Sequence, residues 1–203
     1  MVIYRTLDEV FRTWSHVAVL RTLIDTNTGY TGNEVARAAG MHPNSAFKAL
    51  SLLEGLGIVQ RKVGGRDHIF SLNREHYLVQ EALLKLFQVE NRFLQKIITT
   101  LAAILKNNTY CAVIFGSVAR REENVLSDLD ICCIVNSNAD GNFLRKSLSK
   151  EAVMLHKKFG IKLAPIFFTK AGFVKKKKTP LIKTILAEGI LITGKHPGEL
   201  IHG

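Results

Sequence analysis

Between residues 110 and 135 the chain lays down an order of side chains that few folds can hold. Tyr110-Cys-Ala-Val-Ile-Phe115 is an unbroken apolar run of strand length. It leads without a spacer into Gly116-Ser117, and Val118-Ala119-Arg120-Arg121-Glu122-Glu123 follow. Then Ser127-Asp128-Leu129-Asp130 opens a second apolar run, Ile131-Cys-Cys-Ile-Val135. The sequence predicts strand, Gly-Ser bend, short helix, Asp-x-Asp, strand. Gly116 lets the backbone approach a phosphate with no Cβ in the way. Ser117 and the start of the helix after it offer hydrogen-bond donors to a triphosphate. Asp128 and Asp130, two apart on a strand, are expected to face the same way. Two such carboxylates can hold Mg²⁺ against a triphosphate. The plainer alternative is a Gly-Ser turn beside two solvated acids at a strand edge.

The rest of this half fits around that stretch. Residues 142–159 predict an amphipathic helix with Leu144, Leu148, Ala152 and Leu155 inward, capped by Gly160. Residues 161–168 predict a third strand, 180–188 a helix, and 189–194 a closing apolar segment.

On Gly116-Ser117, Ala119-Arg120 and Ser127-Asp128-Leu129-Asp130-Ile131, set between two apolar strands, the chain resembles the DNA polymerase β-like nucleotidyltransferase superfamily, most closely its minimal members. The resemblance implies ATP or another NTP with Mg²⁺. It implies Asp128 and Asp130 as catalytic and metal-binding residues, with Gly116, Ser117, Arg120 and Arg121 on the nucleotide. Two departures stand out. Active members of the superfamily add a third carboxylate on a neighbouring strand, and 161–168 contains none; Lys162 and Ala164 stand where one would be sought. Arg121 occupies a position where relatives often carry Gly. Loss of a metal ligand or general base costs about 10²–10⁴-fold in rate. Nucleotide and Mg²⁺ binding are therefore expected to outlast efficient transfer.

The first half has a different grammar. Residues 14–26 place Val17, Leu20 and Ile24 on one helical face. Thr31-Gly-Asn-Glu34 is a capping box for a short helix that Gly40 stops. Met41-His42-Pro43 starts a further helix to about Leu56, with Pro43 in its first turn. Ala46, Ala49, Leu50 and Leu53 form its inner stripe. Asn44, Ser45, Phe47 and Lys48 lie off that stripe near the N-terminal end, where a recognition helix reads bases. Residues 58–63 and 67–72 predict a hairpin turning at Gly64-Gly65-Arg66. Arg61, Lys62, Arg66 and His68 on its flanks and tip suit backbone or minor-groove contact. Residues 14–73 resemble winged helix-turn-helix transcription regulators, which implies double-stranded DNA as a partner. A winged helix used only for protein contact is the alternative.

Residues 76–105 repeat apolar side chains every three or four positions, which predicts one long connecting helix of roughly 45 Å. Such a helix suits a spacer or a homodimer seam. Lys+Arg total 28 against 17 Asp+Glu, a formal net charge of +11, which favours polyanionic partners or serves solubility. Residues 1–105 carry 12 basic and 9 acidic side chains, and 106–203 carry 16 and 8. The Lys175–Lys178 run is the densest charge, most simply a solvated loop. Three cysteines in apolar runs argue for buried thiols in a reducing compartment, not a disulfide scaffold. No secretory signal or membrane-length apolar stretch is evident, so a cytoplasmic location is expected. The seven histidines show no metal-ligand spacing.

The expected architecture is α+β / α/β: a winged helix over 1–75, a connecting helix over 76–106, and a nucleotidyltransferase-like mixed sheet with flanking helices over 107–203. The expected function is a DNA-binding transcriptional regulator whose second domain binds Mg-NTP, with an antitoxin-like relation to a toxin-like protein partner. The alternatives are an active enzyme moving an NMP group from NTP to a hydroxyl of a small molecule, protein or RNA, and a pure interaction scaffold.

Overall fold

The computed structural model describes residues 2–64, 67–107 and 109–202. It divides into two units, Met1–Arg92 and Phe93–Gly203.

In the first unit α1 (Thr6–Val10) and α2 (Trp14–Ile24) precede a two-residue strand β1 (Tyr30–Thr31), then α3 (Gly32–Ala38), α4 (Pro43–Gly55), β2 (Val59–Gly64) and β3 (Asp67–Leu72). The expected capping box forms at the start of α3. Glu34 N–H donates to Thr31 Oγ1 at 3.3 Å, and Thr31 N–H donates to Glu34 Oε2 at 2.8 Å. Two otherwise orphaned backbone donors are thereby satisfied. At α4 the His42 ring adds a cap, accepting from Asn44 N–H at 3.2 Å, with Pro43 at the first turn. The strands form an antiparallel sheet in the order β1-β3-β2. Strand β1 went unforeseen, because two residues are too short for any alternation to show. Leu20, Leu23, Val35, Leu50, Leu53, Ile58 and Phe70 are buried in one core. His16 is buried too, its Nδ1 bonded to the Glu9 carbonyl at 2.9 Å, a structural role.

The single helix expected over 76–106 is three pieces: a π-helical segment Val79–Leu83, α5 (Leu84–Asn91) and α6 (Phe93–Leu105). The helix is interrupted at Arg92, with φ −96° and ψ 0°, although Arg92 N–H still donates to the Gln88 carbonyl at 3.2 Å. Val79, Leu83 and Phe87 are buried in the first core, and Ile97, Leu101 and Leu105 in the second. In an ideal helix the two apolar stripes stay in phase across the break, so periodicity alone joins them. The end of α5 is held to α2 by a bidentate pair, Arg21 to Glu90 at 2.8 and 2.7 Å.

In the second unit β4 (Cys111–Phe115), α7 (Ser117–Arg120), β5 (Leu129–Val135), α8 (Asn138–Phe159), β6 (Leu163–Thr169), α9 (Lys170–Lys175), α10 (Pro180–Glu188), β7 (Ile190–Gly194) and α11 (Glu199–His202) follow. The sheet runs β6-β5-β4-β7; β5 and β6 are parallel and the other pairs antiparallel. The architecture is mixed α+β. Strand alternation sends Ala112, Ile114, Ile131 and Cys133 into a core with α6 and α8, and Cys111, Val113, Cys132 and Ile134 into another with Phe173, Ile182 and Ile185. All three thiols are buried, and burial pushes Cys111 and Cys133 up to about 12 and Cys132 higher still. They are packing residues, not nucleophiles.

Candidate functional site

The Gly-Ser bend and the Asp-x-Asp segment meet at one end of the sheet. Phe115, the last residue of β4, pairs with Asp130 on β5. Gly116 then turns with φ 76° and ψ −150°. A Cβ at Gly116 would push the Asp130 carboxylate aside, and the positive φ independently favours glycine here. Asp130 is the second residue of β5, whereas Asp128 precedes the strand instead of lying on it as expected. The two nevertheless feel each other. Burial and then the Asp128 charge raise the Asp130 pKa above its ordinary 3.8, with Arg120 pulling the other way. Leu129 N–H donates to the Lys162 carbonyl at 2.7 Å and fixes the backbone between the two acids.

On β6 the residue paired with Asp130 is Ala164. Parallel neighbours in register share a face, so of the two positions considered, Lys162 and Ala164, it is a carboxylate at 164 that would stand beside Asp130. Among the described residues no group of three His, Cys, Asp or Glu is arranged to hold a metal ion. Two hard oxygen donors still suit Mg²⁺, which commonly takes one or two carboxylates and draws its remaining ligands from phosphate and water.

Ser117 starts α7 and is partly buried. Arg120 is exposed and engaged: Nε donates to Glu122 Oε2 at 2.7 Å and an Nη to Glu188 Oε2 at 3.4 Å, which raises its pKa. Glu188 escaped the sequence reading because it lies 68 residues away and no local pattern ties it to Arg120. Arg121 ends α7 in the left-handed region, φ 59° and ψ 38°, while Glu122 N–H donates to the Ser117 carbonyl at 2.9 Å. That is a conformation glycine favours, so arginine here carries backbone strain. Asp128 lines a cavity of about 460 Å³ together with Leu94, Ile97, Val118, Ile161, Arg121 and Glu123.

In the first unit Asn44, Phe47 and Lys48 are exposed on α4 and Ser45 is partly buried, opposite the buried Ala46, Ala49, Leu50 and Leu53. Phe47 also has a packing task. Its ring lies where a Cβ on Gly32 would fall and meets Phe70 edge-on at 6.4 Å, so less than half of it faces solvent. On the hairpin Arg61, Lys62 and His68 are exposed. Arg61 Nε pairs with Glu54 at 3.0 Å, an exposed pair weak enough to open for a phosphate. Arg66, with Gly65, lies outside the described residues.

Fold and sequence agree on a helix-turn-helix unit followed by a nucleotidyltransferase-type unit. Residues 17–62 match the family model of the IclR helix-turn-helix domain, and residues 94–192 match that of the nucleotidyltransferase domain. No curated protein matches the chain. Among solved structures, the chain is similar to the toxin–antitoxin MntA–HpeT in a double aspartate-to-glutamate mutant form. The identity is 16%, the coverage 53% of this chain and 80% of that one, and the TM-score 0.35. A likeness at that level does not assign a function.

Proposed function

We propose that the chain is a cytoplasmic, homodimeric DNA-binding transcriptional regulator whose second unit holds an NTP with Mg²⁺ and transfers poorly. The observation that carries this is the pairing of Asp130 with Ala164, which leaves two carboxylates beside the glycine bend where efficient transfer calls for three. Asp128 and Asp130 would hold Mg²⁺, which when bound would neutralise triphosphate charge. Gly116 opens the backbone for the phosphates, and Ser117 offers its hydroxyl and N–H. Arg120 and Arg121 supply cations at the rim, Arg120 after release from Glu122 or Glu188. On DNA, Asn44 and Ser45 read base edges, Lys48 meets guanine or phosphate, and Phe47 presents one ring edge to a thymine methyl. Arg61, Lys62, Arg66 and His68 hold the backbone. An antitoxin-like relation to a protein partner belongs to the same proposal.

Gel-shift titration over genomic fragments tests the regulator. Salt-sensitive binding is expected, weakened by Asn44→Ala with Lys48→Ala; no binding to any duplex at low salt rejects it.

The fit of Gly116 against Asp130 favours a second reading, an active transferase moving an NMP group to a hydroxyl of a small molecule, protein or RNA. Labelled NTP, Mg²⁺ and cell extract test it. Labelling that is absent, or equal in the Asp128→Ala/Asp130→Ala variant, removes it.

A further inference from the structure

The positive charge of this chain sits in the wrong unit for a simple helix-turn-helix protein. Residues 1–92 carry 11 basic and 9 acidic side chains, whereas residues 93–203 carry 17 and 8. A unit so nearly neutral has little surplus charge with which to neutralise phosphates.

Helix α8 concentrates part of the surplus in an ordered array. Over its 22 residues it buries Leu144, Leu148 and Leu155 against the sheet. At 100° per residue Lys146, Lys150 and Lys157 fall within about 40° of one another, on the side opposite those leucines. All three are exposed. The acids of α8 stand elsewhere. Asp140 is bound to Ser137 in the N-terminal capping box, and Glu151 lies on the flank, partly buried. Among the described residues none of the three lysines pairs with a carboxylate. Lys146 and Lys150 are four apart, a repulsive spacing on a helix. A face built only for solubility would gain by alternating sign there. Phe143 and Val153, 56% and 77% exposed, lie on the same face.

We propose that this face of α8 is a second DNA contact, in which Lys146, Lys150 and Lys157 hold phosphates of one backbone while Phe143 and Val153 lie against sugars. The three lysines span ~16 Å, about five rises of 3.4 Å along a strand. Charge complementarity selects the occupant: a regular polyanion fits an acid-free row of cations. The proposal rests on the DNA-binding reading of the first unit and extends it to the second, where it supplies sequence-independent affinity.

The test is fluorescence anisotropy of the full chain on a labelled random 30-base-pair duplex across a salt series. The variants are Lys146→Gln/Lys150→Gln/Lys157→Gln and, separately, Asn44→Ala/Lys48→Ala, each checked by circular dichroism and thermal melting. Glutamine keeps helix propensity, so the triple variant should fold. The expected result is a salt slope smaller by about 2–3 and at least a tenfold loss of affinity in the triple variant, since each phosphate contact contributes about 0.9 to the slope. A folded triple variant with unchanged slope and affinity, beside a weakened Asn44→Ala/Lys48→Ala variant, overturns this proposal and leaves the first-unit reading standing. A wild-type chain that binds no duplex at low salt overturns both. Retained duplex binding with lost binding to poly-glutamate also overturns it, in favour of an acidic protein.

Discussion

At the scale of single residues, the second unit turns on Gly116, Asp130 and Ala164. The Gly116 backbone passes so close to Asp130 that a side chain there would displace the carboxylate, and burial together with the Asp128 charge disfavours ionised Asp130. Its raised pKa has a sign that can be checked. The folded chain holds this proton more tightly than the unfolded chain, so ionising Asp130 costs stability. The cost is absent below the ordinary value of 3.8 and fully present once pH exceeds the raised value. Asp130→Asn is therefore predicted to raise Tm at pH 7, with the gain shrinking toward pH 3; melting curves at both pH values check it. Ala164 is the complementary case. It stands beside Asp130 in the parallel register, and Ala164→Asp places a third carboxylate on the same face. That substitution is predicted to raise Mg²⁺-dependent NMP transfer by an order of magnitude or more, measured as labelled-product formation, while leaving nucleotide affinity within a few-fold.

At the scale of elements, what could be read from the sequence was whatever is set locally. The capping box at Thr31–Glu34, the proline-led α4 and the α10 bounds follow from side chains within one turn of one another. The two aspartates and the glycine bend were legible because one apolar run leads straight into the bend and the next follows straight on from the aspartates. What stayed hidden depends on distant partners. Strand β1 exists only through its pairing with β3, Glu188 reaches Arg120 only after α10 packs on the sheet, and the break at Arg92 falls where the apolar phase runs on undisturbed. The helix α8 begins at Asn138, earlier than the expected 142, because Ser137 and Asp140 form a second capping box. The short helix α7 makes a prediction of its own. Arg121 ends it in left-handed geometry, which a β-carbon makes unfavourable. Arg121→Gly should raise stability by about 0.5–1 kcal/mol, seen as a higher urea midpoint at unchanged slope. A lower midpoint would mean that contacts of the Arg121 side chain outweigh the backbone strain.

At the scale of the molecule, the two units have separate cores, and no helix among the described residues is long and apolar enough to cross a membrane. The nearly neutral first unit presents Asn44 and Lys48 from α4. The basic second unit gathers two acids at one end of a sheet whose helices are otherwise rich in lysine. In the proposed reading such surroundings would suit a triphosphate that arrives with its cation: the lysines would draw the anion and the aspartates would hold the metal. The most direct measurement is calorimetric titration of the full chain with ATP, with and without Mg²⁺, repeated on Asp128→Asn/Asp130→Asn. The account predicts saturable, Mg²⁺-dependent binding that the double variant loses. Heat that is absent in the wild type, or identical in the variant, would contradict it.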